Sequence, residues 1–479
     1  MKKAIFIFLS ITLFILIGPI NSTFAGKVLY DDFSGKFIDS NKWGQREFVR
    51  EIVDGKLVIK LSSSEEARHP TISHIFLSSF LFADPDSIHT FEAEITIVET
   101  ETGVSGSFSG QRIGGCFYNS NDINTGDPTG DIEAQIWMGD FGDEAGLEAR
   151  WRMLRVINNS GEYEILGEGT LLGPGQIEYN KPVLTKISYD GSQLITFSVY
   201  NVSTSFEGPE RKRPGFRRNI KGFSTIIMTG NDQENAFIHA KLDNVRINNE
   251  VSLYDDFSDT LINASKWRAL ERVREIKDGC LRISVRGRGS TQTVDTPLTE
   301  RDASYIEAKV MSEDGTRGSS GAHLQARIQG YYYNDIRGPG SGQDYNQHEG
   351  DIFVHIGLAG GYHGSEAAAY VYRSSKPDQS EFILLFKHVF SVPVIDDKYY
   401  VLSIKFEGNK LIFGCEGETA EYNITTPIYK AYGEHRLLRS RISLTPGEGA
   451  YLKIRFDDVY ISDKGKTVPG VLMLLLDDE

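Results

Sequence analysis

The chain has 479 residues, of which 40% are hydrophobic and 24% charged, and it carries a net charge of −15. That length accommodates more than one domain with a sizeable core, and that charge opposes general attraction to nucleic acid or anionic lipid. Three cysteines, Cys116, Cys280 and Cys415, exclude a disulfide-built scaffold, since at most one bridge can form.

In chain order, Lys2-Lys3, an apolar run from Ala4 to Ile17 and the small-residue site Thr23-Phe24-Ala25 are expected to form a secretory signal peptide over residues 1–25. The mature chain is therefore expected outside the cytoplasm, extracellular or periplasmic. No later stretch approaches the ~20 apolar residues that a spanning helix needs, so no membrane span is expected after cleavage.

From there the chain says nearly the same thing twice. Leu29-Tyr30-Asp31-Asp32-Phe33-Ser34, running to Lys42-Trp43, returns as Leu253-Tyr254-Asp255-Asp256-Phe257-Ser258, running to Lys266-Trp267. Arg50-Glu51-Ile52-Val53-Asp54-Gly55 returns as Arg274-Glu275-Ile276-Lys277-Asp278-Gly279, and Gly130-Asp131-Ile132 as Gly350-Asp351-Ile352. Tyr118-Asn119 matches Tyr333-Asn334, and Leu242-Asp243-Asn244-Val245 matches Phe456-Asp457-Asp458-Val459. The copies correspond from first strand to last, at 26–249 and 250–463, with a tail at 464–479. Cys280 and Cys415 fall in one copy and either pair or stay as small buried thiols; their counterparts, Lys56 and Ser198, show that the fold requires no bridge.

Almost every shared segment alternates apolar and polar residues and ends in Gly, Asp, Asn or Pro, as in Phe91-Glu92-Ala93-Glu94-Ile95-Thr96-Ile97. Period two with turn residues between predicts half-buried antiparallel strands. Tyr189-Asp190-Gly191-Ser192 and Phe406-Glu407-Gly408-Asn409 are predicted hairpin turns. The expected fold is all-β: two tandem antiparallel β-sandwiches, each burying the inner faces of two sheets. Arg211-Lys212-Arg213-Pro214-Gly215-Phe216-Arg217-Arg218 is expected to be an exposed basic loop that is solvated or, as the alternative, meets an acidic polysaccharide or an acidic protein. The apolar tail Val468 to Leu476 is too short to span a bilayer and fits a strand added to a sheet edge.

The repeated opening LYDDFSGKFIDSNKW, the mid-domain Gly-Asp-Ile strand and the closing Asp-x-Val-x-Ile strand resemble the concanavalin A-like lectin/glucanase jelly roll, as in laminin-G-like modules and family 16 glycoside hydrolases. The resemblance covers both copies, and the fold hosts lectins, adhesion modules and enzymes alike. Enzymes of that family carry carboxylates spaced E-x-D-x-E or E-x-D-x-x-E, with alternate residues ~6.6 Å apart on one face of a strand. Here the matching strand is Asp131-Ile132-Glu133-Ala134-Gln135, and in the second copy Asp351-Ile352-Phe353-Val354-His355. Neither completes the pattern, which leaves Asp131 and Glu133 as weak catalytic candidates and favours a non-catalytic protein.

A binding role asks for aromatic faces and polar side chains. Candidates are Asp131, Glu133, Gln135, Trp137, Trp151 and Tyr118 in the first copy, and Tyr333, Asn334, Asp351 and His355 in the second. The expected function is recognition of a polysaccharide, a glycoconjugate or a surface protein. A glycoside hydrolase or lyase using the first copy is the alternative, and a structural or adhesive protein-binding module the second alternative. Aspartates of the first strands (Asp31, Asp32, Asp255, Asp256) and last strands (Asp243, Asp457, Asp458) would meet if those strands are neighbours. They would then hold a structural Ca²⁺, or cap turns and pair with Arg246 and Arg455.

Overall fold

A computed structural model describes residues 26–462 except 64–73, 103–106, 125, 143–145, 161, 230–235, 289, 317–322, 337–347, 362–363, 434 and 444–448. The expected signal peptide and apolar tail lie outside the described residues, as does most of the loop before Gly350. Among the described residues the only helix is one turn, Arg218–Ile220. The first copy supplies β1 (Lys27–Asp31), β2 (Phe48–Val53), β3 (Lys56–Ser62), β4 (His74–Leu81), β5 (Thr90–Glu101), β6 (Phe108–Asn119), β7 (Asp131–Asp140), β8 (Leu147–Val156), β9 (Tyr163–Ile177), β10 (Val183–Tyr189), β11 (Leu194–Val199), β12 (Val202–Glu207), β13 (Gly222–Thr229) and β14 (Phe237–Ile247). The second supplies β15 (Arg272–Lys277), β16 (Cys280–Arg288), β17 (Gln292–Pro297), β18 (Tyr305–Thr316), β19 (His323–Asn334), β20 (Asp351–Gly361), β21 (Gly364–Ser374), β22 (Phe382–Val389), β23 (Tyr399–Glu407), β24 (Lys410–Cys415), β25 (Glu418–Asn423), β26 (His435–Ser443) and β27 (Gly449–Ser462).

The alternation explains the layers. Along β5, Phe91, Ala93, Ile95 and Ile97 are buried while Glu92, Glu94 and Thr96 face outward. Two six-stranded antiparallel sheets result, β4-β13-β6-β7-β8-β9 and β17-β26-β19-β20-β21-β22. Each covers one half of a single 15-stranded sheet, so two separate cores form and the chain is a pair of β-sandwiches, as expected. The Asp54-Gly55 and Asp278-Gly279 corners join β2 to β3 and β15 to β16. Both residues of each corner have φ between 51° and 71°, as a two-residue primed turn requires.

The halves join through β2 and β15, where Val49 pairs with Val273 and the neighbouring pairs, Arg50 with Arg272 and Phe48 with Arg274, are related by a pseudo-twofold axis. Arg50 Nε donates to the Leu270 carbonyl and Arg274 Nε to that of Arg46, both at 2.8 Å, so the duplicated arginine reaches across the seam in each direction.

The opening segments do not pack in the core of their own copy. β1 pairs with β27, the last strand of the other copy, and Phe33, Ile38 and Trp43 fill the core of the second sandwich. Reciprocally, Asp255 bridges to Val245 next to the end of β14, and Phe257, Ile262 and Trp267 fill the core of the first. Each indole donates to the aspartate twelve residues before it, Trp43 to Asp31 and Trp267 to Asp255, at 2.6 Å. The repeat divides the sequence at 249/250, whereas the packing exchanges residues 27–44 for residues 254–268.

Candidate functional site

In each six-stranded sheet one face meets the core and the other points away from it. On the outer face of the first sandwich, the register sets Arg112 beside Trp137 and Gly114 beside Gln135, with Cys116 opposite Glu133. Across β7, Gln135 faces Arg152 and Trp137 faces Arg150. The period of two thus brings Glu133 and Gln135 into one row with Trp137. Trp137 Nε1 donates to Gln135 Oε1 at 2.9 Å, its ring meets Phe108 edge-on at 5.1 Å, and the Arg112 guanidinium lies 5.7 Å from its centroid. Phe108, Trp137, Phe141, Arg150, Arg152 and Glu168 border a cavity of about 320 Å³.

The carboxylates of this face are taken up. Glu133 is buried and paired with Arg217, which also bonds the Tyr163 hydroxyl; Glu148 pairs with Arg150, and Glu168 with Arg152 at 3.0 Å. These contacts hold the Arg217 proton more tightly than usual, against the opposing effect of burial. Asp131 is fully buried. Its oxygens accept the backbone N–H groups of Phe216 and Arg217, both at 2.7 Å, and the Asn119 amide at 2.8 Å. The basic stretch expected to be a solvated loop is therefore anchored: Asp131 fixes its backbone, Arg217 reaches Glu133 and Arg218 reaches Asp86. Lys221 is buried against the Pro85 and Ile88 carbonyls, and burial pushes its ammonium down to about 8.

The second copy repeats the anchor. Asp351 accepts the N–H groups of Tyr432 and Gly433 at 3.0 and 3.2 Å, the Asn334 amide at 3.0 Å, and a contact with His348 Nδ1 at 2.9 Å. The glycine ahead of each aspartate has positive φ, and a Cβ on Gly130 or Gly350 would come within 2.8 Å of the neighbouring Asn119 or Asn334 side chain. The Gly-Asp-Ile repeat is thus a loop anchor.

The remaining candidates divide between core and outer face. Tyr118 stacks on Tyr189 and donates to the Pro209 carbonyl, and Tyr333 stacks on Phe406, so both are core residues. Trp151 lies opposite Ile136, against Phe197 and Phe206, and also lines the cavity beside Trp137. His355 is on the outer face of the second sandwich between Gln329 and Tyr370. Arg327, Arg439 and Arg441 share that face, as do Tyr370 and Tyr372. Sequence reasoning missed these residues and Arg217; the two-residue spacings Arg439/Arg441 and Tyr370/Tyr372 were the available signal.

The aspartates proposed for calcium meet across the exchange: Asp31 lies opposite Val459, and Asp255 opposite Val245. Asp31 and Asp255 accept indole and backbone N–H groups, while Asp32 and Asp256 close turns on Ser34 and Ser258. Asp243 pairs with Lys56 and Asp458 with Lys309, not with Arg246 and Arg455, which turn to Glu92 and to Glu313 and Asp278. Burial raises the Asp457 carboxyl. Among the described residues no three His, Cys, Asp or Glu side chains are grouped to hold a metal ion. The three cysteines are free and buried, so Cys280 and Cys415 do not pair.

No protein-family model matches the chain, and no curated protein does. Among solved structures it is similar to the catalytic domain of an endo-1,3-beta-glucanase (laminarinase) from Thermotoga petrophila, at 11% identity over 39% of this chain and 79% of that one, with a TM-score of 0.24. Carbohydrate binding module CBM66 from Bacillus subtilis matches at 10% identity over 37% of this chain and 84% of that one, TM-score 0.21. A glycoside hydrolase family 16 endo-glucanase from Bacteroides ovatus matches at 10% identity over 40% of this chain and 88% of that one, TM-score 0.27. At these scores the likenesses carry no argument about this chain.

Proposed function

We propose that this chain is an exported, non-catalytic protein that binds carbohydrate on the outer face of its first sandwich. One observation carries the reading: beside the Trp137 ledge, the carboxylates of the face are each held by an arginine, while an aromatic-walled cavity with a polar rim stays open. Glycoside hydrolysis needs one carboxyl group to protonate the leaving oxygen and a second to attack or activate water. Asp131, tied to two backbone N–H groups, and Glu133, tied to Arg217, are not placed for those roles. The half-buried Trp137 and Phe141 rings suit the apolar side of a pyranose, and Arg150 and Arg152 its hydroxyls. Because each of these carboxylates is held by an arginine, while Arg112 meets the Trp137 ring and the Ser224 hydroxyl, a neutral saccharide fits this face. The leader-like residues 1–25 support export.

Affinity electrophoresis of the mature protein through gels containing neutral β-glucans, galactans or fructans tests the reading. Retardation by at least one polymer, lost in Trp137→Ala and kept in Glu133→Gln, is expected. Release of reducing ends that Glu133→Gln abolishes would establish the hydrolase alternative instead, and no retardation by any glycan would favour a protein partner.

A further inference from the structure

Among the described residues, the outer face of the second sandwich carries positive charge that its own side chains do not neutralise. Matching registers make the comparison direct. In the first sandwich Arg112 lies between Trp137 and Ser224; in the second its counterpart, Arg327, lies between Gly357 and Arg439. One position further along the same face, Ile226 of the first copy is replaced by Arg441. The Trp137 ring over the shared arginine gives way to Phe353, whose centroid lies 5.7 Å from the Arg327 guanidinium, and two more guanidinium groups stand beside it.

Among the described residues these three arginines share one carboxylate, Asp295, and Arg439 takes both of its oxygens. Arg327 is 2% exposed; its Nη1 donates to Gln325 Oε1 at 3.1 Å, and its Nε has no partner. His355, 4% exposed, leaves both ring nitrogens unpartnered, and Gln329 Oε1 opposite it is also unpartnered. The other charged groups of the face, Glu366 and Lys387, pair with each other at 3.8 Å, and Lys387 sits over the Tyr370 ring. Burial and the neighbouring arginines weaken the hold of both Arg327 and His355 on their protons. Buried donors and charges without partners are costly, and an outside counter-ion removes that cost.

The surroundings indicate what carries the counter-charge. His355 stacks on Tyr370 and Tyr372 at 4.8 and 5.8 Å, and Phe353 continues the aromatic row to the exposed Phe382. Guanidinium forks suit planar or tetrahedral oxyanions, and ring faces beside them suit the body of a sugar. We propose that this face binds an acidic saccharide unit, its sulfate ester or carboxylate held by Arg327 and Arg441 with His355 donating beside them. The saccharide part rests on the reading above; the oxyanion part does not.

The test uses the full mature chain, with inorganic sulfate and glucuronate as small probes and sulfated dextran, polygalacturonate and neutral dextran as polymers. Inorganic sulfate or glucuronate is expected to shift the His355 ring resonances in nuclear magnetic resonance spectra. Sulfated dextran, polygalacturonate or both are expected to retard the protein in gels, and whichever does so identifies the oxyanion. Arg327→Gln or Arg441→Gln should weaken both responses by at least about tenfold, as loss of a charge-assisted hydrogen bond does. Among the described residues Arg441 has no ion pair, and it is half-buried, so its variant serves if Arg327→Gln misfolds. Lys410→Gln, on the opposite sheet, makes the same charge change and should alter neither response. A His355 response to sulfate or glucuronate without retardation by either acidic polymer would keep the oxyanion site and overturn its saccharide part. No His355 response to either small probe, or equal weakening by Lys410→Gln, would overturn the proposal.

Discussion

Trp43→Ala separates exchanged from self-contained packing, because the tryptophan belongs to the first copy in sequence and to the second in space. The indole is 1% exposed, stacks on Phe33 at 5.5 Å, meets Tyr30 edge-on at 5.4 Å and donates to the buried Asp31 carboxylate. Removing a buried aromatic costs about 3–5 kcal/mol. Leaving Asp31 short of a donor adds about 1–3 kcal/mol. A combined loss of about 5 kcal/mol corresponds to between three and four powers of ten in an opening equilibrium. Native-state hydrogen exchange followed by mass spectrometry should show that loss in β18, β19 and β27, with β5, β6 and β7 unchanged. Trp267→Ala should produce the mirror image. Loosening of β5 to β7 by Trp43→Ala would refute the exchange.

Asp131→Ala should strip the Phe216 and Arg217 N–H groups of their acceptor, at about 3–5 kcal/mol locally for two part-buried hydrogen bonds to a charged carboxylate. Limited trypsin digestion should then cut first at Arg217 or Arg218. Burial pushes the His435 imidazole down to about 4, so the unfolded state takes up the proton first as pH falls. Stability from this group is complete above pH 6.5 and declines by about 3 kcal/mol on descending to pH 4. His435→Gln should flatten urea-derived stability across that window relative to wild type, and an unchanged slope would count against the shift. Chelation with EDTA should leave Tm unchanged, because the strand aspartates are met by indole, backbone, hydroxyl and lysine donors; a Tm that falls with EDTA and rises with added Ca²⁺ would establish the structural calcium instead.

The strands were legible because burial on one face leaves a period of two, and the Asp-Gly corners because that pair tolerates two positive φ values. The row Glu133, Gln135 and Trp137 follows from the same alternation. Its chemistry did not follow, since Arg217 arrives from a loop 84 residues away. The Asn119/Asp131 and Asn334/Asp351 pairs recur visibly, yet their partners are backbone N–H groups, which leave no mark in a sequence. The Arg327 cluster is assembled from β19 and β26, more than 100 residues apart. The exchange was invisible for a different reason: two almost identical plugs fit either core, and composition does not choose between them.

That choice has a kinetic consequence. During synthesis the first sandwich receives its plug soon after β14 emerges, whereas residues 27–44 must wait until β27, the last of the described strands, exists to receive them. The sandwich closed by the earliest-made segment is therefore the last to be completed, and its seam joins Lys27 to Ser462. A polypeptide tied in this way resists fraying, because peeling either end requires breaking the same strand pair. It also exposes an unfilled core throughout its assembly, where a second newly made chain can insert its own plug and produce a dimer.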